Sequence, residues 1–150
     1  MKTAAIKKLR EKLAADRAVY GLWLNLELAT IAAMAVALGL DWIVIDAERG
    51  HLDWKEILEP IRATVRSDTV AFVRVAELNG ALIKRALDIG TDGVLVPCVE
   101  IVEQLKKAVA FSMLPPEGLR GIGSERATGW VILQAVSSPE SLHPRPEYDQ

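Results

Sequence analysis

The stretch DWIVIDAERGHLDW, residues 41–54, sets the reading of this chain. Trp42 to Ile45 are large and apolar with β-branched isoleucines and valine, as in a strand buried on both faces. The run then breaks into Asp46, Glu48, Arg49, Gly50, His51 and Asp53 before a new amphipathic pattern begins. Continuous apolar strands of this kind belong to parallel sheets covered by helices. Polar clusters at their C-terminal ends are where α/β folds place functional groups.

Working outward, the same alternation recurs. Residues 1–16 read as an amphipathic helix with Ile6, Leu9 and Leu13 on one face. VYGLWLN (19–25) reads as a strand and LELATIAAMAVAL (26–38) as a helix stopped by Gly39. LDWKEILEPIRATVR (52–66) reads as a helix, with a kink or weakened turn expected at Pro60, which lacks an amide hydrogen. TVAFVRV (69–75) is a strand, NGALIKRALDIG (79–90) a helix ending at Gly90, DGVLVPCV (92–99) a strand and IVEQLKKAVAFSM (101–113) a helix. The fold class is α/β: about four β/α units behind an N-terminal helix. An open doubly wound sheet and a (β/α) barrel both fit. No glycine-rich phosphate fingerprint follows the first strand, which favours the barrel.

The bulk numbers narrow the partners. The chain has 150 residues, 51% of them hydrophobic, and a net charge of −2. That is one domain's worth of core, with no basic surface for nucleic acid. A single cysteine, Cys98, excludes an internal disulfide and fits a cytoplasmic setting. LATIAAMAVALGL (28–40) is too short for a membrane span and is flanked by Glu27 and Asp41.

The strand ends supply the candidate chemistry. Trp23 and Asn25 end the first strand. Asp46, Glu48, Arg49 and His51 end the second. Arg74 and Glu77 end the third, and Pro97, Cys98 and Glu100 the fourth. Carboxylates beside an imidazole can orient it and raise its basicity, or can hold a metal. The same residues can equally be a salt-bridged helix start. Arg74, inside an otherwise apolar strand, needs an anion: a ligand carboxylate gripped by its fork, or an internal partner such as Asp46 or Glu77. In LPPEGLRGIGSERATGW (114–130), Arg120 and the amides around Gly118, Gly121 and Gly123 can border a ligand, phosphate included, or form an ordinary stiff loop. Cys98 offers a thiol whose reactivity the sequence does not fix.

Taken together, GLWLN, LGLDWIVIDAERG, FVRVAELN, LIKRALDIGTDGVLVPCVE and LPPEGLRGIGSERA, from Gly21 to Ala127, resemble the HpcH/HpaI family of class II metal-dependent aldolases, relatives of citrate lyase on a (β/α)8 TIM-type barrel. The resemblance implies a carbon–carbon lyase that cleaves 4-hydroxy-2-oxo acids to pyruvate, or a related enolate, and an aldehyde. It implies a divalent ion, Mg, Mn or Co. Its candidate catalytic residues are Arg74, Asp46, Glu48, Arg49 and His51, and its candidate substrate-binding residues Trp23, Arg74, Arg120, Gly121 and Gly123. Two departures stand out. Arg49 occupies the place of the family's acid/base histidine, and arginine does not release a proton near neutral pH. The family's carboxylate metal ligands, in Q-x-E and G-P-x-D runs, have no counterpart here.

A complete barrel takes about 250 residues. Residues 1–130 are therefore expected to be the N-terminal part of such a barrel and residues 131–150, rich in proline and serine, an irregular tail. Four units leave open parallel edges and an uncovered inner face, so self-association into a homo-oligomer is expected. The expected partners are a small 2-oxo acid and an aldehyde, without nucleic acid or membrane.

Overall fold

A computed structural model describes residues 2–26 and 29–121. Helix α1 (Thr3–Ala14) is followed by β1 (Gly21–Leu24), α2 (Ala29–Ala37), β2 (Trp42–Asp46), α3 (Trp54–Thr64), β3 (Val70–Arg74), α4 (Gly80–Asp88), β4 (Gly93–Leu95) and α5 (Val102–Ser112). Each element falls inside its expected span. The four strands form one parallel sheet in the order β1-β2-β3-β4. A doubly wound sheet reverses its strand order at a switch point. Here each strand simply adds beside its predecessor, which is barrel winding, stopped among the described residues at four strands.

The termini of the helices follow their capping residues. Asp53 accepts hydrogen bonds from the amides of Lys55 and Glu56 at 2.8 and 3.0 Å, while Glu56 accepts from the Asp53 amide, closing a capping box on α3. Asn79 caps α4 in the same way through the amides of Ala81 and Leu82. Helices α2 and α4 both end in left-handed glycines, Gly39 (φ +69°) and Gly90 (φ +95°). The amide after each reaches back into the last turn, Leu40 to Ala35 and Thr91 to Ala86. Helix α3 continues from Trp54 to Thr64 through Pro60, which is buried.

Period-two alternation divides the sheet into two faces. Ile43, Ile45, Ala71 and Val73 point outward, join Ile57, Ile61, Ile83, Ala86 and Leu87 of the helices, and form the main core. Trp42, Val44, Val70 and Phe72 point the other way, towards what is the interior of a barrel. At the N-terminal end of that inner face, Ala5, Ile6 and Leu9 of α1 pack on Val70, Trp42 and Phe72, so α1 closes the bottom. Lys2 pins the start of α1 there. Its amide donates to Asp92 at 2.8 Å and its Nζ to the Thr64 carbonyl at 2.9 Å.

Edge strands carry glycine where a neighbouring aromatic ring lies across them. Gly21 is in register with Trp42 and Gly93 with Phe72. A Cβ on Gly21 would lie 2.0 Å from the Trp42 ring, and one on Gly93 2.8 Å from Phe72. The rings fill the space that the missing side chains leave and shield the inner ends of β1 and β4. Gly21→Ala should therefore displace Trp42 from α1 and lower stability by roughly 1–3 kcal/mol, the usual cost of overpacking. Chemical denaturation followed by tryptophan fluorescence measures this, and an unchanged midpoint would contradict the packing.

Candidate functional site

At the C-terminal end of the sheet, the inner face changes from apolar to charged. Asp46 and Arg74 are register partners on β2 and β3. Trp23, two residues along β1 from Gly21, stands on the same face. The parity of the strands thus delivers an indole, a carboxylate and a guanidinium to one rim.

Asp46 is the centre of the cluster, with 3% of its surface exposed. Oδ1 accepts from the backbone amides of Glu48 and Arg49, each at 3.0 Å. Oδ2 accepts from Trp23 Nε1 at 2.8 Å and from Arg74 Nη1 at 3.2 Å. Burial acts to raise the Asp46 pKa. The indole, the two amides and the guanidinium outweigh it, and the carboxyl is held below its ordinary value. The two amide bonds also fold the chain after β2 into a tight turn, which carries Glu48 back over the rim.

Arg74 is flanked by both acids. Besides Asp46, its Nη2 contacts Glu48 Oε2. Its guanidinium lies 5.7 Å from the centroid of the Trp23 ring, within cation–π range. The internal partner anticipated for Arg74 is therefore real, in the form of Asp46 and Glu48 rather than Glu77. Trp23 remains 47% exposed, with its N–H committed to Asp46 and part of its ring open to the mouth.

The remaining candidates separate. Arg49 has a side chain 75% exposed and only a 3.4 Å contact between its Nε and Glu48 Oε1. His51 is exposed beyond Gly50, whose φ of +105° turns the chain. Neither lies in the buried part of the cluster. Cys98 is exposed after β4 with φ +53°. Arg120 is not brought to the rim. Its Nη2 donates to Asp88 at 2.8 Å. Asp88 ends α4, just before the Thr91–Asp92 turn that binds the start of β3 through Ala71, so Arg120 sits at the opposite end of the sheet. Gly121 is beside it, 3.7 Å from Lys84 Nζ if a Cβ is added. Gly123 and the segment 131–150 lie outside the described residues.

Sequence reasoning took Trp23 for a substrate contact and missed its bond to Asp46. That Trp23, Asp46 and Arg74 share one face follows from the strand register, which relates residues far apart in the chain. The pairing of Arg120 with Asp88 likewise carried no local signal.

The two rim acids do not fit a divalent cation in this arrangement. Both oxygens of Asp46 already accept two hydrogen bonds each, and both oxygens of Glu48 face guanidinium groups. No group of three or more histidine, cysteine or acidic side chains suited to a metal occurs among the described residues.

A singly wound parallel β/α sheet with a guanidinium–carboxylate cluster at its C-terminal rim defines a barrel-type α/β fold. The chain belongs to the HpcH/HpaI aldolase/citrate lyase family, whose model matches residues 19–144. It is 37% identical over 120 residues to a hydroxypyruvate/pyruvate aldolase of Cupriavidus necator, covering 79% of this chain and 45% of that protein. It is 33% identical over 126 residues to a 4-hydroxy-2-oxovalerate aldolase of Rhodococcus jostii, covering 83% of this chain and 49% of that one. The crystal structure of an HpcH/HpaI aldolase/citrate lyase family protein from Burkholderia cenocepacia superposes with a TM-score of 0.77 at 31% identity, over 85% of this chain and 52% of that one. The fold is an incomplete TIM-type barrel, and the chain spans about half the length of the curated relatives it matches.

The depressed Asp46 pKa has a sign. Because the folded-state value lies below the ordinary 3.8, the stability Asp46 contributes is complete above that pH and is lost as pH falls through the folded value. Asp46→Asn should cost on the order of 1.5–3 kcal/mol at neutral pH, the range for hydrogen bonds to a charged group. It should also flatten the decline in stability below about pH 4. Urea midpoints measured across that range test both, and parallel acid limbs in the two proteins would count against the assignment.

Proposed function

We propose that this chain carries the carboxylate-binding part of a pyruvate-type aldolase site, with Arg74 as the residue that holds the 2-oxo acid. The whole reaction in this reading is cleavage of a 4-hydroxy-2-oxo acid to pyruvate, or a related enolate, and an aldehyde. The observation that carries it is the placement of a buried-edge guanidinium, oriented by Asp46 and backed by Trp23, at the C-terminal rim of a barrel sheet. Relatives named as aldolases for hydroxypyruvate/pyruvate and 4-hydroxy-2-oxovalerate support the substrate class.

The residues divide the work as follows. Asp46 fixes one side of the Arg74 fork, leaving other N–H donors to meet a ligand carboxylate. Positive charge beside a developing enolate oxygen stabilises it where water would not. Trp23 provides an apolar wall for the carbon chain. Arg120, paired with Asp88, and Gly121 beside it are at the end of the sheet away from the rim, so they have no part in this reading, and Gly123 keeps its substrate-loop role through the family resemblance alone.

The family resemblance implies a divalent ion, Mg, Mn or Co, which polarises the keto acid when bound. Asp46 and Glu48 are committed to donors, so no step through the ion is assigned to them. Arg49 cannot serve as the acid/base group, and the exposed His51 stands apart from the buried cluster.

That last point favours a second reading, a chain that binds the oxo acid or a further copy of itself without turning it over. The exposed apolar residues Leu105 and Val109 of α5 and Met113 just after it support self-association. No described helix is long and apolar enough to cross a membrane. A cytoplasmic location is the reading that the lone cysteine and the family favour.

Two measurements decide between binding and turnover. Arg74→Ala should abolish pyruvate binding, a loss of at least about tenfold in affinity, whereas Arg74→Lys should keep part of it. Pyruvate release assayed with added manganese should stay near background for the purified chain, and Arg49→His should not raise it. A clear gain in the histidine variant would establish turnover and overturn the non-catalytic reading. Light scattering at monomer mass would remove the self-association.

A further inference from the structure

Glu48 differs from Asp46 in a way that bears on how a ligand enters. Asp46 receives four hydrogen bonds. Glu48 Oε2 is buried and contacts Arg74 Nη2, yet has no aligned hydrogen bond. Its other oxygen lies 3.4 Å from Arg49 Nε, and that arginine is largely in solvent. The Glu48 side chain is only 14% exposed, and Oε2, the oxygen against Arg74, is buried away from water. An ionised group in that condition is held by Coulomb attraction alone, against the cost of its desolvation.

The carboxylate of Glu48 is chemically the same group as the carboxylate of a 2-oxo acid, and it occupies one side of the Arg74 fork. We propose that Glu48 is an internal stand-in for the ligand carboxylate. In the ligand-free chain it covers the Nη2 side of Arg74, and a 2-oxo acid binds by displacing it. Asp46 stays in place because four aligned hydrogen bonds hold it, whereas Glu48 is held by its ion pairs with Arg74 and Arg49 alone and can exchange one of them for a ligand's. Arg49 then has a defined role: an exposed guanidinium already touching Oε1, it receives the displaced carboxylate at the edge of the mouth. This rests on the reading of Arg74 as the carboxylate-binding residue and adds to it an anion that competes from within.

The prediction runs opposite to that for a residue supporting the site. Calorimetric titration of the full chain with pyruvate and with oxalate, no metal added, should show Glu48→Gln binding both more tightly, by roughly tenfold. Glu48→Asp, one methylene shorter, draws its carboxylate back from Arg74 and should show a smaller gain in the same direction although its charge is kept. Methyl pyruvate, which lacks the carboxylate, should bind all three proteins alike. Equal or weaker binding of pyruvate by the variants, with the unaltered chain binding it, would overturn the stand-in and leave the role of Arg74 intact. Absence of pyruvate binding in all three would overturn both. If neither variant folds, Glu48 is a structural support and the stand-in is likewise overturned.

Discussion

A carboxylate taken out of water must be met by donors, and in this chain Asp46 is met by four. That requirement organises the upper half of the sheet. It draws the Trp23 indole inward from β1 and fixes Arg74 on β3. It also bends the chain after β2 so that two amides point back at one oxygen. Remove the charge at Asp46 and the Trp23 indole, the Arg74 guanidinium and the two turn amides lose the acceptor they share. The apolar layers beneath would still form, because their driving force is burial and does not depend on the rim.

The sheet therefore has two regimes along its length. Near its N-terminal end the inner face is dry: Trp42, Val70 and Phe72 pack on α1, with glycines in β1 and β4 giving room to the rings. Near its C-terminal end the inner face is charged. Separating the two suits a barrel-type sheet. Stability resides where α1 closes the bottom, and the top can carry groups in unfavourable settings, Glu48 foremost among them. A protein with its charged cluster in the middle of the apolar layers would have no such freedom.

Family membership and geometry contribute different things to the functional reading. Membership in the HpcH/HpaI aldolase/citrate lyase family supports the proposed reaction class. Geometry supplies the details that belong to this chain. Arg49 is at the surface, Arg120 is tied to the far end of α4, and both oxygens of Asp46 are occupied by donors. Those details shift weight from acid/base chemistry towards anion recognition.

By itself, the sequence determined the order and type of the elements. Apolar runs, helix periodicity and glycine stops are local signals, read within a few residues. The bounds of β4 were less legible: the apolar run goes on to Val99, but only Gly93–Leu95 pair with β3, since Pro97 has no amide to offer. Residues 46, 48 and 74 were identifiable as candidates because each is a charge at the end of an apolar strand. Tertiary structure decided which of them meet. Register set Asp46 against Arg74, the amide turn after β2 returned Glu48 to the rim, and the direction of α4 carried Arg120 to the opposite end. Register and helix direction relate residues far apart in the chain, and no short stretch of sequence encodes that distance.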